Sequence, residues 1–84
     1  MTFEVRLTVK ALEQLAGYMA EGDAAGLKEL VEAIEALAVD PTTGVRWGPF
    51  HWRLRVGRYR AVYSWQEGHL IVLVVHVGRT DDDR

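Results

Sequence analysis

The apolar residues of this chain change period halfway along, and that change limits what it can fold into. Ala11, Leu12, Leu15, Ala16 and Met19 recur at three- and four-residue intervals, which predicts a first helix over 9–20. Leu27, Leu30, Val31, Ile34, Leu37 and Ala38 repeat the pattern, predicting a second helix over 24–38 with Glu29, Glu32 and Glu35 turned to solvent. Further on the period becomes two. Phe50, Trp52, Leu54 and Val56 alternate with His51, Arg53 and Arg55, the signature of a strand with one apolar face and one basic face. A helix with one apolar stripe must bury that stripe on something, and the sheet is the available surface.

The punctuation fits this plan. Phe3 to Leu7 alternates as a first strand, and Thr8 can cap the helix that follows. Gly22-Asp23 breaks the helical pattern into a hairpin, and Asp40-Pro41-Thr42-Thr43-Gly44 ends it in a loop. Lys28 and Glu32 share the i,i+4 spacing, in the weaker orientation. Gly57-Arg58 turns the chain into a strand from Tyr59 to Trp65. Tyr59, Ala61, Tyr63 and Trp65 take one of its faces, and Arg58, Arg60, Val62 and Ser64 take the other. Gln66-Glu67-Gly68 turns again. His69 to Val77 is nearly all apolar, so a central strand covered on both faces is expected. Thr80 to Arg84 reads as a frayed polar tail. The predicted fold is α+β: a strand, a helical hairpin and a three-stranded antiparallel meander, with both helices on one face of a small twisted sheet. Phe50, Trp52 and Leu54 are expected beneath the helices, and His51, Arg53 and Arg55 on the open side. Arg60 joins them if the hairpin register sets it opposite that strand.

Eighty-four residues make one domain with one core. The chain has no cysteine, which excludes disulfides and thiolate metal sites and fits a reducing cytoplasm. The start lacks a secretory pattern, and no run nears the roughly 20 apolar residues of a membrane span. The net charge of −2 conceals a segregation. Residues 1–45 hold eight acids against three bases, whereas residues 46–79 hold six arginines (46, 53, 55, 58, 60 and 79) against Glu67 alone. A guanidinium is a planar fork that matches phosphate oxygens, so this half suits a phosphate-bearing partner. The plainer alternative is that these arginines are solvated or pair with the helical carboxylates.

Among the histidines, His51 shares the parity of the arginine face and is the candidate base. His76 is a weaker candidate, and His69 sits at a turn. Trp47, beside glycine and the basic strand, is the candidate base-stacker, whereas Trp52 and Tyr63 read as core. The scattered histidines and the Asp81-Asp82-Asp83 run do not form a metal cage, and no glycine-rich phosphate loop or nucleophile elbow is present.

The stretch "WRLRVGRYRAVYSWQEGHLIVLVVHVGR", following the helical hairpin and "LAVDPTTG", resembles the RelE/ParE superfamily of toxins. The resemblance covers almost the whole chain and is most specific over Arg53 to Tyr63, with Val75 to Arg79 similar to the family's final strand. It implies a toxin of a type II toxin–antitoxin pair. One branch cleaves messenger RNA in the ribosomal A site without a metal or cofactor, and the other poisons DNA gyrase. The positions that contact the scissile phosphate in the RNA-cleaving branch correspond to Arg53 and Arg60. A further basic position corresponds to His51, and one after the last strand to Arg79. Arg55, Arg58, Arg46 and Trp47 complete the expected RNA-binding set. The resemblance further implies a cognate antitoxin that holds the toxin inactive. The sequence departs from the pattern at its tail. Thr80 and three aspartates follow Arg79, where another basic residue and a tyrosine are usual. A gyrase poison, or a catalytically weak module that binds antitoxin, is therefore the alternative to a messenger RNA endoribonuclease.

Overall fold

The computed structural model describes residues 2–80. The chain runs β1 (Glu4–Leu7), α1 (Val9–Ala20), α2 (Ala24–Ala36), β2 (Val45–Arg46), β3 (Trp52–Val56), β4 (Tyr59–Gln66) and β5 (Ile71–Arg79). The five strands form one sheet in the order β1-β5-β4-β3-β2. β1 lies parallel to β5, and every other pair is antiparallel.

Local chemistry explains the boundaries. Thr8 caps α1, its hydroxyl accepting from the Ala11 N–H, and Asp23 caps α2 by accepting from the Gly26 N–H. Gly57 turns β3 into β4 at φ 59°, a left-handed conformation that favours glycine. Both helices cover the same sheet face. Beneath them lie Leu54 of β3, Tyr59, Ala61 and Tyr63 of β4, and Val72, Val74 and Val77 of β5, sealed by Leu27, Leu30 and Ile34 of α2 and by Leu37 at its C-terminal cap. Burial of this apolar surface is the main force holding the domain together.

Four expectations need correction. Phe50 is not under the helices: β3 begins at Trp52, and Phe50 is 79% exposed in the preceding bend. The segment before it is not all loop, because Val45 and Arg46 pair with Arg53 and Trp52 as a short edge strand. Such a two-residue strand has too few residues to show a period. The last strand is not covered on both faces. Val72, Val74 and Val77 are buried, but Ile71, Leu73 and Val75 are only half-buried on the open face, because both helices pack on the other side. Last, α1 does not bury its full apolar stripe. Ala11 is buried, and Leu15 and Tyr18 are half-buried, whereas Leu12 and Met19 are exposed. Leu12 and Met19 instead line two adjoining grooves along the hairpin, both including Val31 of α2.

Candidate nucleic-acid interface

Strand parity builds the site. In β3 the side chains of Arg53 and Arg55 point away from Trp52, Leu54 and Val56, which face the helices. The hairpin register sets Arg55 directly across from Arg60, and Arg53 across from Val62. Three guanidinium groups thus share the open face of two adjacent strands. Like charges opposed in this way repel. Arg55 is exposed, whereas Arg53 and Arg60 are half-buried on this face; a positive face of this kind suits an anion.

Beside them, the Trp47 N–H donates to the His51 carbonyl at 2.9 Å, extending the β2–β3 ladder by one more pair. That places Trp47 on the open face, where the Arg53 guanidinium lies 4.1 Å from its ring centroid. The turn feeding β2 is held from within the core. Tyr63 donates its hydroxyl to the Pro41 carbonyl at 2.6 Å and accepts from the Gly44 N–H at 3.1 Å. Burial first, then the nearby Asp40 charge, raises the Tyr63 phenol above its ordinary value, with the Gly44 N–H opposing them. A Cβ at Gly44 would come within 2.6 Å of both the Arg53 carbonyl and the Tyr63 hydroxyl, so only glycine fits.

The remaining expected residues divide. His51 shares the open-face parity and is half-buried in a cleft with Arg46, Phe50 and Ser64. Arg46 pairs with Trp52 on the helix-side parity, its guanidinium 5.9 Å from that ring, and so does not join Arg53. Arg58 reaches Asp23 at 3.4 Å. Arg79 reaches Glu21 at 2.8 Å and lies over the Tyr18 ring at 4.8 Å. Arg58 and Arg79 thus each lie beside a carboxylate of the link between the two helices. A bulge explains the position of Arg79. Val62 pairs with His76 but Tyr63 with Val74, leaving Val75 as an extra residue. The bulge reverses the parity of β5, so Val77 and Arg79 face the helices while His76 and Gly78 join the arginine face.

Two residues outside the expected set complete that corner. Gln14 of α1 lies 3.0 Å from His76 Nδ1 and accepts from the Val77 N–H at 2.8 Å. Its sequence signal is a polar residue within the sheet-facing stripe of Ala11, Leu15 and Tyr18. Gly78 lies beneath the Arg60 and His76 side chains. Among the described residues no group of three or more metal-ligating side chains converges, and no helix is long and apolar enough to cross a membrane.

Comparison with known proteins places the molecule. The family model of the ParE toxin of type II toxin–antitoxin systems matches residues 5–84. The chain belongs to this toxin family. As a RelE/ParE superfamily toxin, its α+β layout of two helices on a five-stranded mixed sheet matches solved RelE-like structures. The RelBE2 toxin–antitoxin complex of Mycobacterium tuberculosis aligns with TM-score 0.75 and 23% identity over 94% of this chain and 92% of that one. The archaeal RelE–RelB complex of Pyrococcus horikoshii gives TM-score 0.75 and 18% identity over 95% and 97%. The YoeB dimer of Staphylococcus aureus gives TM-score 0.64 and 13% identity over 90% and 94%. No curated protein matches the toxin in sequence.

Proposed function

We propose that this toxin is a RelE-like, metal-independent endoribonuclease that cleaves ribosome-bound messenger RNA. The observation carrying the reading is the sharing of one open sheet face by Arg53, Arg55 and Arg60, with Trp47 stacked against Arg53. In cleavage by internal attack, the 2′-oxygen of the RNA bonds to phosphorus and the bond to the 5′-oxygen breaks. Negative charge gathers on the pentavalent phosphorus centre between these events. Fixed guanidinium donors stabilise that charge as it develops, and Arg53 and Arg60 take this role. His51 is assigned to move the 2′-hydroxyl proton. Trp47 offers a ring on which a base stacks.

A cognate antitoxin is the second partner. Two of the similar solved structures are toxin–antitoxin complexes. By charge complementarity, the antitoxin segment that crosses the arginine face is acidic.

The test uses the purified chain with ribosomes translating a defined message. The expected result is a cut message with a cyclic phosphate on one side of the break and a 5′-hydroxyl on the other, unaffected by a chelator. An intact message at high toxin concentration overturns the reading. A second reading, inhibition of DNA gyrase, is supported by the match to the ParE family. Loss of supercoiling by gyrase, with the message left intact, establishes it.

A further inference from the structure

β4 outruns the strand it pairs with. β3 begins at Trp52, opposite Tyr63, whereas β4 continues through Ser64, Trp65 and Gln66 and is paired there with β5 alone. His51, which would face Ser64 in a longer ladder, is paired with Trp47 instead. The overhang leaves an open cleft of about 520 Å³ at this end of the sheet. Arg46, Phe50, His51 and Trp52 line one wall, and Ser64 and Gln66 the other. Sites for small molecules typically enclose roughly 300–1,000 Å³, so the cleft has room for a ring system.

The walls indicate what kind of ring. The side chains of His51, Ser64 and Gln66 have no hydrogen-bond partner among the described residues, so their donors and acceptors are available. Phe50 keeps 79% of its surface in water, an apolar ring with nothing laid against it. No carboxylate is among the lining residues, and Arg46 stands at the rim. A nucleobase combines a flat face with donors and acceptors along its edge, and single-stranded RNA is read by stacking that face and bonding that edge. A purely apolar occupant would leave Ser64 and Gln66 unpaired.

The cleft also runs into the arginine face. His51 precedes Arg53 by two residues and shares its parity, a step of roughly 7 Å along an extended chain. Ser64 stands in the same relation to Val62, which faces Arg53 across the hairpin.

We propose that this cleft is a subsite for one nucleobase of an RNA strand whose phosphodiester lies on the arginine face. Phe50 supplies the ring on which the base lies, and Ser64 and Gln66 bond to its edge. The proposal rests on the arginine face being an RNA site, and adds that the strand is held by a base as well as by its backbone.

NMR of the full chain tests the placement. The probe is a 2′-O-methyl RNA hexanucleotide, which cannot be cut. Its addition should shift the Gln66 side-chain amide and the Phe50 ring together with Arg53 Nε–H. The same backbone without bases should still shift Arg53 and leave Gln66 and Phe50 unmoved. If the abasic strand moves all three equally, the cleft receives backbone and the proposal is wrong. If the hexanucleotide shifts Arg53 alone, the subsite does not exist, although the arginine face stands. A strand that shifts none of them removes both. An oligodeoxynucleotide of the same sequence is a further arm, and if it alone produces the shifts, the RNA assignment falls.

Phe50→Ala should weaken binding of the hexanucleotide about tenfold, the scale of one lost stacking ring. Its thermal midpoint should stay near the parent's, since the side chain buries little. Phe50→Trp should keep affinity within about threefold of the parent, because a flat face remains, whereas Phe50→Leu should fall with Phe50→Ala. Full affinity in Phe50→Ala, or equal loss in the Trp and Leu variants, overturns the stacking role. Gln66→Ala should narrow the spread of affinities among 2′-O-methyl hexamers of adenosine, cytidine and uridine. A spread as wide as the parent's shows that Gln66 does not read the base. RNA that binds and shifts Phe50 and Gln66 in a protein that never cuts a message leaves the subsite standing and removes the ribonuclease reading.

Discussion

Tyr63, buried in the core-facing side of β4, donates its hydroxyl to the Pro41 carbonyl at 2.6 Å. That bond anchors the turn from which β2 departs, and β2 leads to Trp47 on the arginine face. Tyr63→Phe removes the donor to Pro41 and the acceptor for the Gly44 N–H. It should cost about 1–3 kcal/mol, seen as a lower midpoint in urea with unchanged slope. The raised phenol also fixes an alkaline behaviour. The folded state binds the hydroxyl proton more tightly than the unfolded chain, whose group titrates at 10.0. This contribution is complete below that pH and is lost as pH rises through the folded value, and Tyr63→Phe should remove that part of the alkaline fall.

Asp23 governs the acid side. Its carboxylate caps α2, accepts from the Tyr59 hydroxyl at 2.8 Å and reaches Arg58. The Tyr59 hydroxyl, then the Gly26 N–H, hold its pKa below the ordinary 3.8, with smaller help from Arg58 and against some desolvation. A depressed folded value means stability that is present above 3.8 and lost as pH falls through the folded value. Thermal midpoints measured across acid pH should therefore fall less steeply for Asp23→Asn than for the parent. Equal slopes would show that Asp23 contributes nothing to the acid transition.

Arg55 and Arg60 oppose each other across the hairpin, where like charges repel. Arg55→Glu creates an opposite-charge pair and should stabilise the fold by about 0.2–1 kcal/mol. The same change should weaken RNA binding and flatten its salt dependence, each lost phosphate contact reducing the slope by about 0.7. A variant that loses both stability and binding would contradict the repulsion argument.

Arg53→Ala and Arg60→Ala should each lower message cleavage by about a hundredfold, the scale seen when one fixed donor to a developing charge is removed. Their thermal midpoints should stay close to the parent's, since both side chains lie on the uncovered face. A cleavage rate unchanged by either substitution removes that residue from the site. By the same logic Arg79→Ala should leave cleavage near the parent level, because Glu21 and Tyr18 hold Arg79 on the helix side.

Trp47→Ala should reduce RNA binding more than it reduces stability. The ring is 50% exposed, so little buried area is lost, but Arg53 loses the surface that orients it. Equal loss of RNA affinity in Trp47→Ala and Trp47→Phe would show that stacking on the ring is not the contribution.

Periodicity by itself determined the helical hairpin, the meander and the side of the sheet that carries Arg53 and Arg55, and the hairpin register added Arg60 to it. Those features follow from repeats of 3.6 and 2.0 residues, which are properties of the local backbone. Tertiary structure decided the rest, because each remaining feature depends on contacts between distant residues. The unpaired Val75 reverses the parity of β5, sending Arg79 to Glu21 and His76 to the arginine face. Gln14 finds its partners more than sixty residues away, where β1 ends and leaves an edge to be filled. Tyr63 positions Trp47 through a turn that carries no periodic signal. Local patterns encode which way a side chain points along a regular element; a bulge, an edge or a clamp exists only once the strands have met.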